Sequence, residues 1–184
     1  MTDDELVARA RRGDSHAFGE LVLRHQSAVV RTAFVVSRSR EEAQDIAQEA
    51  FVAAWRRLDG FRGDAQFRTW LLTITWRQAL TRRDSAWRRV FRMSRPPEDV
   101  AFELRSDAAG AERAVMAGET LARVRDAAEA LPAKLRDPLL LAASGECTFD
   151  EMSRILGVPA GTLKWRVMEA RRRLKERLAE LERP

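Results

Sequence analysis

EEAQDIAQEAFVAAWRRLDGFRGDAQFRTWLLTITWRQALTRR, residues 41–83, decides the reading of this chain. Ser39 stands three residues before Glu42, the spacing of a capping box, in which serine oxygen and glutamate satisfy the orphan N–H groups of a helix start. Ala43, Ile46, Ala47, Ala50, Phe51, Ala54, Trp55 and Leu58 then recur at helical spacing and give one apolar face. Asp59-Gly60 and Arg62-Gly63-Asp64 interrupt the pattern with turn chemistry. A second helix starts near Phe67 and carries Phe67, Trp70, Leu71, Ile74 and Gln78 on one stripe. Its other faces carry Arg68, Arg77, Arg82 and Arg83.

Toward the N-terminus, Thr2 with Glu5 opens a short helix that stops near Gly13. Asp14-Ser15 caps the next, with Phe18, Leu21, Val22, His25, Val29 and Phe34 near one face and Arg24 and Arg31 outside. That helix gives way near Ser37-Arg38-Ser39. His16 and His25 are isolated from each other and from cysteine, so His25 reads as a packed side chain with one hydrogen bond.

Toward the C-terminus the arginine run continues through Arg88, Arg89, Arg92 and Arg95. Phe67 to Arg95 holds eight arginines against one acid, Asp84, with Trp70, Trp76 and Trp87 interleaved. A charge run is usually a solvated helix face. The one-sided imbalance and the tryptophans favour nucleic acid, since arginine binds phosphate and aromatic faces stack on exposed bases. On this reading Trp70 belongs to the core and Trp76 is the stacking side chain. Pro96-Pro97 then stops the helix. An acidic stretch with Glu98, Asp99, Glu103 and Asp107 follows, read as a flexible linker over residues 96–111.

The second domain, residues 112–184, opens with a helix through Met116, Leu121, Val124, Ala128 and Leu131 that ends at Pro132. Leu135, Leu139 and Leu140 mark another, ending at Gly145. Thr148 and Glu151 cap a third through Met152, Ile155 and Leu156. After the turn Gly157-Val158-Pro159, a long helix runs from Thr162 with Leu163, Val167, Ala170, Leu174, Leu178 and Leu181 inward. A short helix, a glycine turn and a longer basic helix make a helix-turn-helix. Thr162 to Arg177 carries seven basic residues against Glu169 and Glu176. The first turns of such a helix enter the major groove and the flanking cations hold phosphates.

Composition sets the bounds. The 184 residues carry 33 Lys+Arg against 28 Asp+Glu, a net charge of +5, with a pI near 10.4 and a mean hydropathy of −0.40. This balance suits a polyanionic partner. Six prolines and nine glycines cluster between periodic segments, which predicts an all-α chain of two small helical domains, residues 1–95 and 112–184. The single cysteine, Cys147, can form neither an intrachain disulfide nor a cysteine-rich zinc site, and reads as a helix-end residue. No signal pattern opens the chain and no apolar run reaches the length of a membrane span, so a cytoplasmic protein without membrane insertion is expected. No catalytic constellation, metal-ligand set or cofactor motif is read, and no appended sensing domain is expected beyond Pro184.

The run EEAQDIAQEAF…W followed by F…FRTWLLTI resembles region 2 of bacterial RNA polymerase sigma factors of the extracytoplasmic-function type. TFDEMSRILGVPAGTLKWRVMEARRRLKERL resembles their region 4. The resemblance implies a specificity subunit that binds core polymerase, opens promoter DNA and is held inactive by an anti-sigma factor. It assigns Asp45, Gln48, Glu49 and Phe51 to the β′ clamp helices of the core, with the β subunit as a further partner. Phe61, Arg62, Asp64, Phe67, Arg68, Trp76, Arg77, Arg82 and Arg83 fall to the −10 element of promoter DNA, Phe61 and Phe67 as walls of a pocket for a flipped base. Thr162, Lys164, Trp165, Arg166, Arg171 and Arg172 fall to the −35 element. The linker matches one that runs near the RNA exit path. Arg77 stands where relatives often have asparagine, Trp165 where a small residue is common, and the chain has no tyrosine. The rival reading is a stand-alone helix-turn-helix regulator using Thr148 to Arg177. That protein would need a ligand pocket or a dimer seam in its first domain.

Overall fold

The computed structural model describes residues 1–93 and 122–181, with the side chains of residues 86–93 and of Leu181 excepted. The expected linker over 96–111, the side chains of Trp87, Arg88, Arg89 and Arg92, and Arg95, Met116 and Leu121 lie outside them.

Four helices form the first unit. Helix α1, Asp3–Arg11, begins at a complete capping box: the Glu5 N–H donates to Thr2 Oγ1 at 3.3 Å, and the Thr2 N–H donates to Glu5 Oε2 at 2.8 Å. Helix α2, Ser15–Ser37, starts at Asp14, which accepts from the Ala17 N–H at 3.2 Å. Hydrogen bonds from Arg9, at 2.9 and 2.6 Å, and from the Ala17 amide hold the Asp14 carboxyl below its usual range. Helix α2 ends on Arg38 in the left-handed region, φ 61°, a conformation few non-glycine residues adopt. Helix α3, Arg40–Arg56, starts at Ser39, whose hydroxyl accepts from the Glu42 N–H at 3.2 Å; this is half of the expected capping box, since no bond returns from the Glu42 side chain to the Ser39 N–H. A single 3-10 turn, Leu58–Gly60, leads through Phe61 to α4, Phe67–Met93.

The alanine-rich face of α3 is what lets α2, α3 and α4 pack closely. Ala43, Ala50 and Ala54 are fully buried, with Ile46 between them. Small side chains bring the backbones together, and Leu21, Val29, Phe67 and Leu71 fill the space between.

The second unit holds four helices: α5 over residues 122–129, α6 Ala133–Ala143, α7 Phe149–Leu156 and α8 Ala160–Leu181. Helix α7 opens on the Thr148–Glu151 capping box and closes on Gly157 at φ 67°, a value that favours glycine. Helix α8 starts at Ala160, two residues earlier than the sequence pattern placed it, its first bond running from the Leu163 N–H to the Pro159 carbonyl at 3.0 Å. Leu163, Val167 and Ala170 seat it against α6 and α7. Among the described residues there is no strand, and no helix is long and apolar enough to cross a membrane.

Candidate nucleic-acid interface

The outer face of α3 presents Asp45, Gln48 and Glu49, all exposed. Gln48 and Glu49 line a shallow groove with Val52, Arg56, Arg57 and Gln78. Arg82 on α4 reaches across to this face. It pairs with Glu49, and its second nitrogen lies 3.9 Å from Asp45. Phe51 corrects the expectation: it is only 8 % exposed and lies in the core, so its contribution to that face is to support α3 from beneath. Trp55, expected on the inner face, is 39 % exposed and meets Phe18 edge-on at 4.9 Å. A strict helical period put Trp55 inward, but at the end of α3 the neighbouring helix covers only one edge of the ring.

The loop from Phe61 to Phe67 divides its residues. Arg62 and Asp64 are exposed and bonded to each other at 3.1 Å, and Gly63 sits at φ 80°. Phe61 and Phe67 are buried and meet at right angles, 5.9 Å apart, with Trp70 against both. These two phenylalanines therefore anchor the loop to the core and do not wall an open pocket, as the sequence alone suggested. The exposed side of α4 carries Arg77, with Trp70 half-buried beside it.

Trp76 reverses the sequence expectation. It is 1 % exposed, the largest fully buried side chain among the described residues, and its indole N–H meets no acceptor among them. Thr69, Trp76 and Arg83 are seven residues apart and so share one side of α4. Thr69 donates to Glu151 on α7 at 3.1 Å, and Arg83 pairs with Asp137 on α6 at 3.2 Å. Trp76 thus lies on the side of α4 that carries two contacts joining the two units.

Further ion pairs close the same seam. Arg68 donates to the Glu146 carbonyl and carboxylate, each at 2.6 Å, and lies 3.5 Å from Glu151. Arg31 on α2 also pairs with Glu146, and Arg38 pairs with Glu129 on α5. Burial pulls the Arg38 guanidinium below its usual value, and Glu129 opposes that. Burial alone would push the Glu151 carboxyl up. The Thr148 amide and hydroxyl, the Thr69 hydroxyl and Arg68 outweigh it and hold Glu151 below the ordinary carboxylate range. Arginines of the first unit thus meet carboxylates of the second. Arg31 and Arg38, which sequence reasoning left unassigned, share in this seam. Arg31 was read on the outer face of α2 with Arg24, and Arg38 stands at its C-cap; neither position signals a distant carboxylate.

Cys147 lies at the seam between Glu146 and Thr148. Burial pushes its thiol up to about 12, with Glu151 and Glu146 adding to the shift and Arg68 opposing it. Since the thiolate is the nucleophile, iodoacetamide at pH 8 should label Cys147 in the folded chain about a hundredfold or more slower than a free thiol. Labelling at the free-thiol rate would show that the seam is open in solution.

The helix-turn-helix presents Thr162, Lys164, Trp165 and Arg171 outward, with Arg166 half-buried. Lys164 Nζ sits 5.9 Å from the centre of the Phe149 ring, a cation–π contact that ties the first turns of α8 to α7. Arg172 is engaged by Glu169 at 2.8 Å and by Glu176, and Arg173 holds Glu169 at 2.6 Å. Hydrogen bonds from Arg172 and Arg173 bring the Glu169 carboxyl down to about 2. Among the described residues no cluster of histidine, cysteine or carboxylate could hold a metal ion.

Comparison with known proteins accounts for both units. The sigma-70 region 2 family profile matches residues 21–89, and the sigma-70 region 4 profile matches residues 121–174. The chain is 34 % identical to the RNA polymerase sigma-H factor of Pseudomonas aeruginosa, covering 97 % of this chain and 95 % of that protein. It is 33 % identical to the ECF RNA polymerase sigma-E factor of Escherichia coli K12, covering 98 % and 96 %. The solved structure of CnrH in complex with the cytosolic domain of CnrY aligns with a TM-score of 0.67 at 28 % identity, over 98 % of this chain and 99 % of that one. The chain belongs to the sigma-70 family of RNA polymerase sigma factors, and within it to the extracytoplasmic-function type.

Proposed function

We propose that this sigma factor works through three surfaces and performs no bond chemistry of its own. The exposed Asp45, Gln48 and Glu49 of α3, with the adjoining Val52 and Arg56, dock on the β′ clamp helices of core polymerase. The loop at Arg62–Asp64 and the exposed α4 residues, Arg77 above all, take the −10 element, joined by Arg68, Arg82 and Arg83 once these leave their carboxylate partners. The first turns of α8, with Thr162, Lys164, Trp165, Arg166 and Arg171, enter the −35 element. Residues 1–95 and 112–184 act as separate promoter-binding domains on a linker over 96–111, within the cytoplasm.

The observation that carries this reading is the seam. Arg68 and Arg83 are held by carboxylates of the second unit in the closed chain. They cannot hold phosphate at the same time, so the free protein should bind promoter DNA poorly. Core polymerase would separate the domains and raise the effective concentration of each for its element. A protein partner that stabilises the closed form would hold the factor inactive. Capture of CnrH with the cytosolic domain of CnrY supports control of this anti-sigma type. The stand-alone regulator is disfavoured by the match of region 2 over residues 21–89.

The test is transcription reconstituted with core polymerase on a promoter library, paired with charge reversal on α3. Asp45 and Glu49 side chains are 60 % and 54 % exposed, so Asp45→Arg with Glu49→Arg should leave the domain folded. The pair should weaken core binding by about 2 kcal/mol, roughly thirtyfold, as loss of close interfacial charges does. Undiminished co-purification with polymerase would remove α3 as the docking helix.

A further inference from the structure

The outward face of α8 carries an apolar pair that the docking of this helix in its own domain does not use. Trp165 is 55 % exposed and Met168 is 63 % exposed. Three residues apart, they are neighbours on the helix surface. They are not spill-over from the core, because Leu163, Val167 and Ala170 bury the opposite side. Lys164, Arg171 and Lys175 run along one edge of this apolar strip, all exposed. The acids Glu169 and Glu176 lie along the other edge, occupied by Arg172 and Arg173. Gly161, one turn before Trp165 on the same face, is exposed and has open space where a side chain would project.

An apolar strip beside a row of cations fits a polyanion that also offers apolar groups at the depth of the helix. Duplex DNA does so in one place: the C5-methyl group of thymine is the apolar feature of the major-groove edge. Two side chains four to five bonds long, standing at the middle of the outward face, reach further than the serine-sized groups that read by hydrogen bond. We propose that Trp165 and Met168 form an apolar reader of thymine methyl groups in the upstream promoter element. The inference rests on the reading that α8 enters the major groove of that element. It makes these two residues determinants of specificity at one or two neighbouring base pairs, selecting by methyl burial where Lys164, Arg166 and Arg171 supply phosphate contacts.

The probe is a duplex library with a randomised upstream element, selected by holoenzyme assembled from this chain and core polymerase. Each thymine of the selected element is then replaced singly by deoxyuracil, which differs only by the methyl group. Holoenzyme should lose about fourfold in affinity at one or two adjacent thymines, the value of one buried methyl group. The double variant Trp165→Ala, Met168→Ala should bind thymine and deoxyuracil duplexes equally, with the salt slope of binding unchanged because its phosphate contacts remain. Should that variant fold poorly, the deoxyuracil series on the unaltered chain decides alone. A selected element without thymine, or equal affinity for both bases at every thymine while the upstream footprint persists, overturns the methyl reader and leaves the groove assignment standing. Loss of any upstream footprint in the unaltered holoenzyme overturns both.

Discussion

Replacing Glu146 with arginine is expected to open the chain. The Glu146 side chain is 9 % exposed and sits between Arg31 and Arg68, whose side chains are 61 % and 27 % exposed. The pair with Arg31 faces solvent and is worth little. The Arg68 contact is bidentate and shielded, and Arg68 also reaches Glu151. Reversing the Glu146 charge removes the nearer carboxylate of Arg68, leaves Glu151 at 3.5 Å as its remaining partner and sets two guanidiniums side by side, at a cost of about 3 kcal/mol. The cost falls on the seam, since neither unit's own helix packing uses Glu146. A compact chain of 184 residues has a radius of gyration of about 16 Å. Small-angle scattering of Glu146→Arg should show an increase of several ångströms, with thermal unfolding of each unit still cooperative. Cys147 labelling should rise in step, because the same opening admits water to the thiol. The free variant should also bind promoter DNA more tightly than the unaltered chain, Arg68 having been released. Adding Arg68→Glu restores the pair with its signs exchanged and should close the chain again without restoring DNA binding. An unchanged radius together with unchanged labelling would show that the domains are held by other contacts.

Trp76→Ala is expected to lower stability by about 3–5 kcal/mol, the usual cost of truncating a buried tryptophan. For a unit of this size that corresponds to a fall in melting temperature on the order of 10–20 °C, read by circular dichroism. The variant should also label faster at Cys147, since Trp76 lies between Thr69 and Arg83, which hold α7 and α6. In permanganate footprinting, Trp76→Ala should then lose open complex on duplex and pre-melted bubble templates alike. Unaltered melting temperature, with a loss that a bubble template rescues, would return Trp76 to the strand-stacking role and show that the seam is absent in the open complex. The better stacking candidate in the closed chain is Trp70, half-buried beside exposed Arg77.

Much of this protein follows from local rules that operate within one turn or one helix. The caps at Thr2, Asp14, Ser39 and Thr148 were legible because capping needs only a hydroxyl or carboxylate at the first position and its partner three residues on. The alanine face of α3 and the Leu163, Val167 and Ala170 face of α8 followed from the 3.6-residue period, while Leu174 and Leu178 are only half-buried. The helix-turn-helix followed from the capping box and the glycine that its turn requires. His25 was read as a packed side chain with one hydrogen bond, and it lies 8 % exposed with its Nε2 at 2.7 Å from Asp3.

What the sequence could not decide is which side of a helix another unit covers. The period places Trp76 among arginines, and that geometry is right for α4. Two of those arginines, Arg68 and Arg83, face Glu146 and Asp137 of the second unit, brought from 54 or more positions away by the fold, while Arg77 stays exposed and Arg82 pairs with Glu49 in the first unit. Phe51, Phe61 and Phe67 failed as surface residues for the same reason, since a phenylalanine in a loop or at a helix edge is apolar enough for core or interface and only its neighbours decide. Charge pattern marked α4 as a surface for a polyanion. Tertiary structure decided that Arg68 and Arg83 meet carboxylates of the protein's own second unit, because only the fold brings Glu146 and Asp137 within hydrogen-bond distance of them.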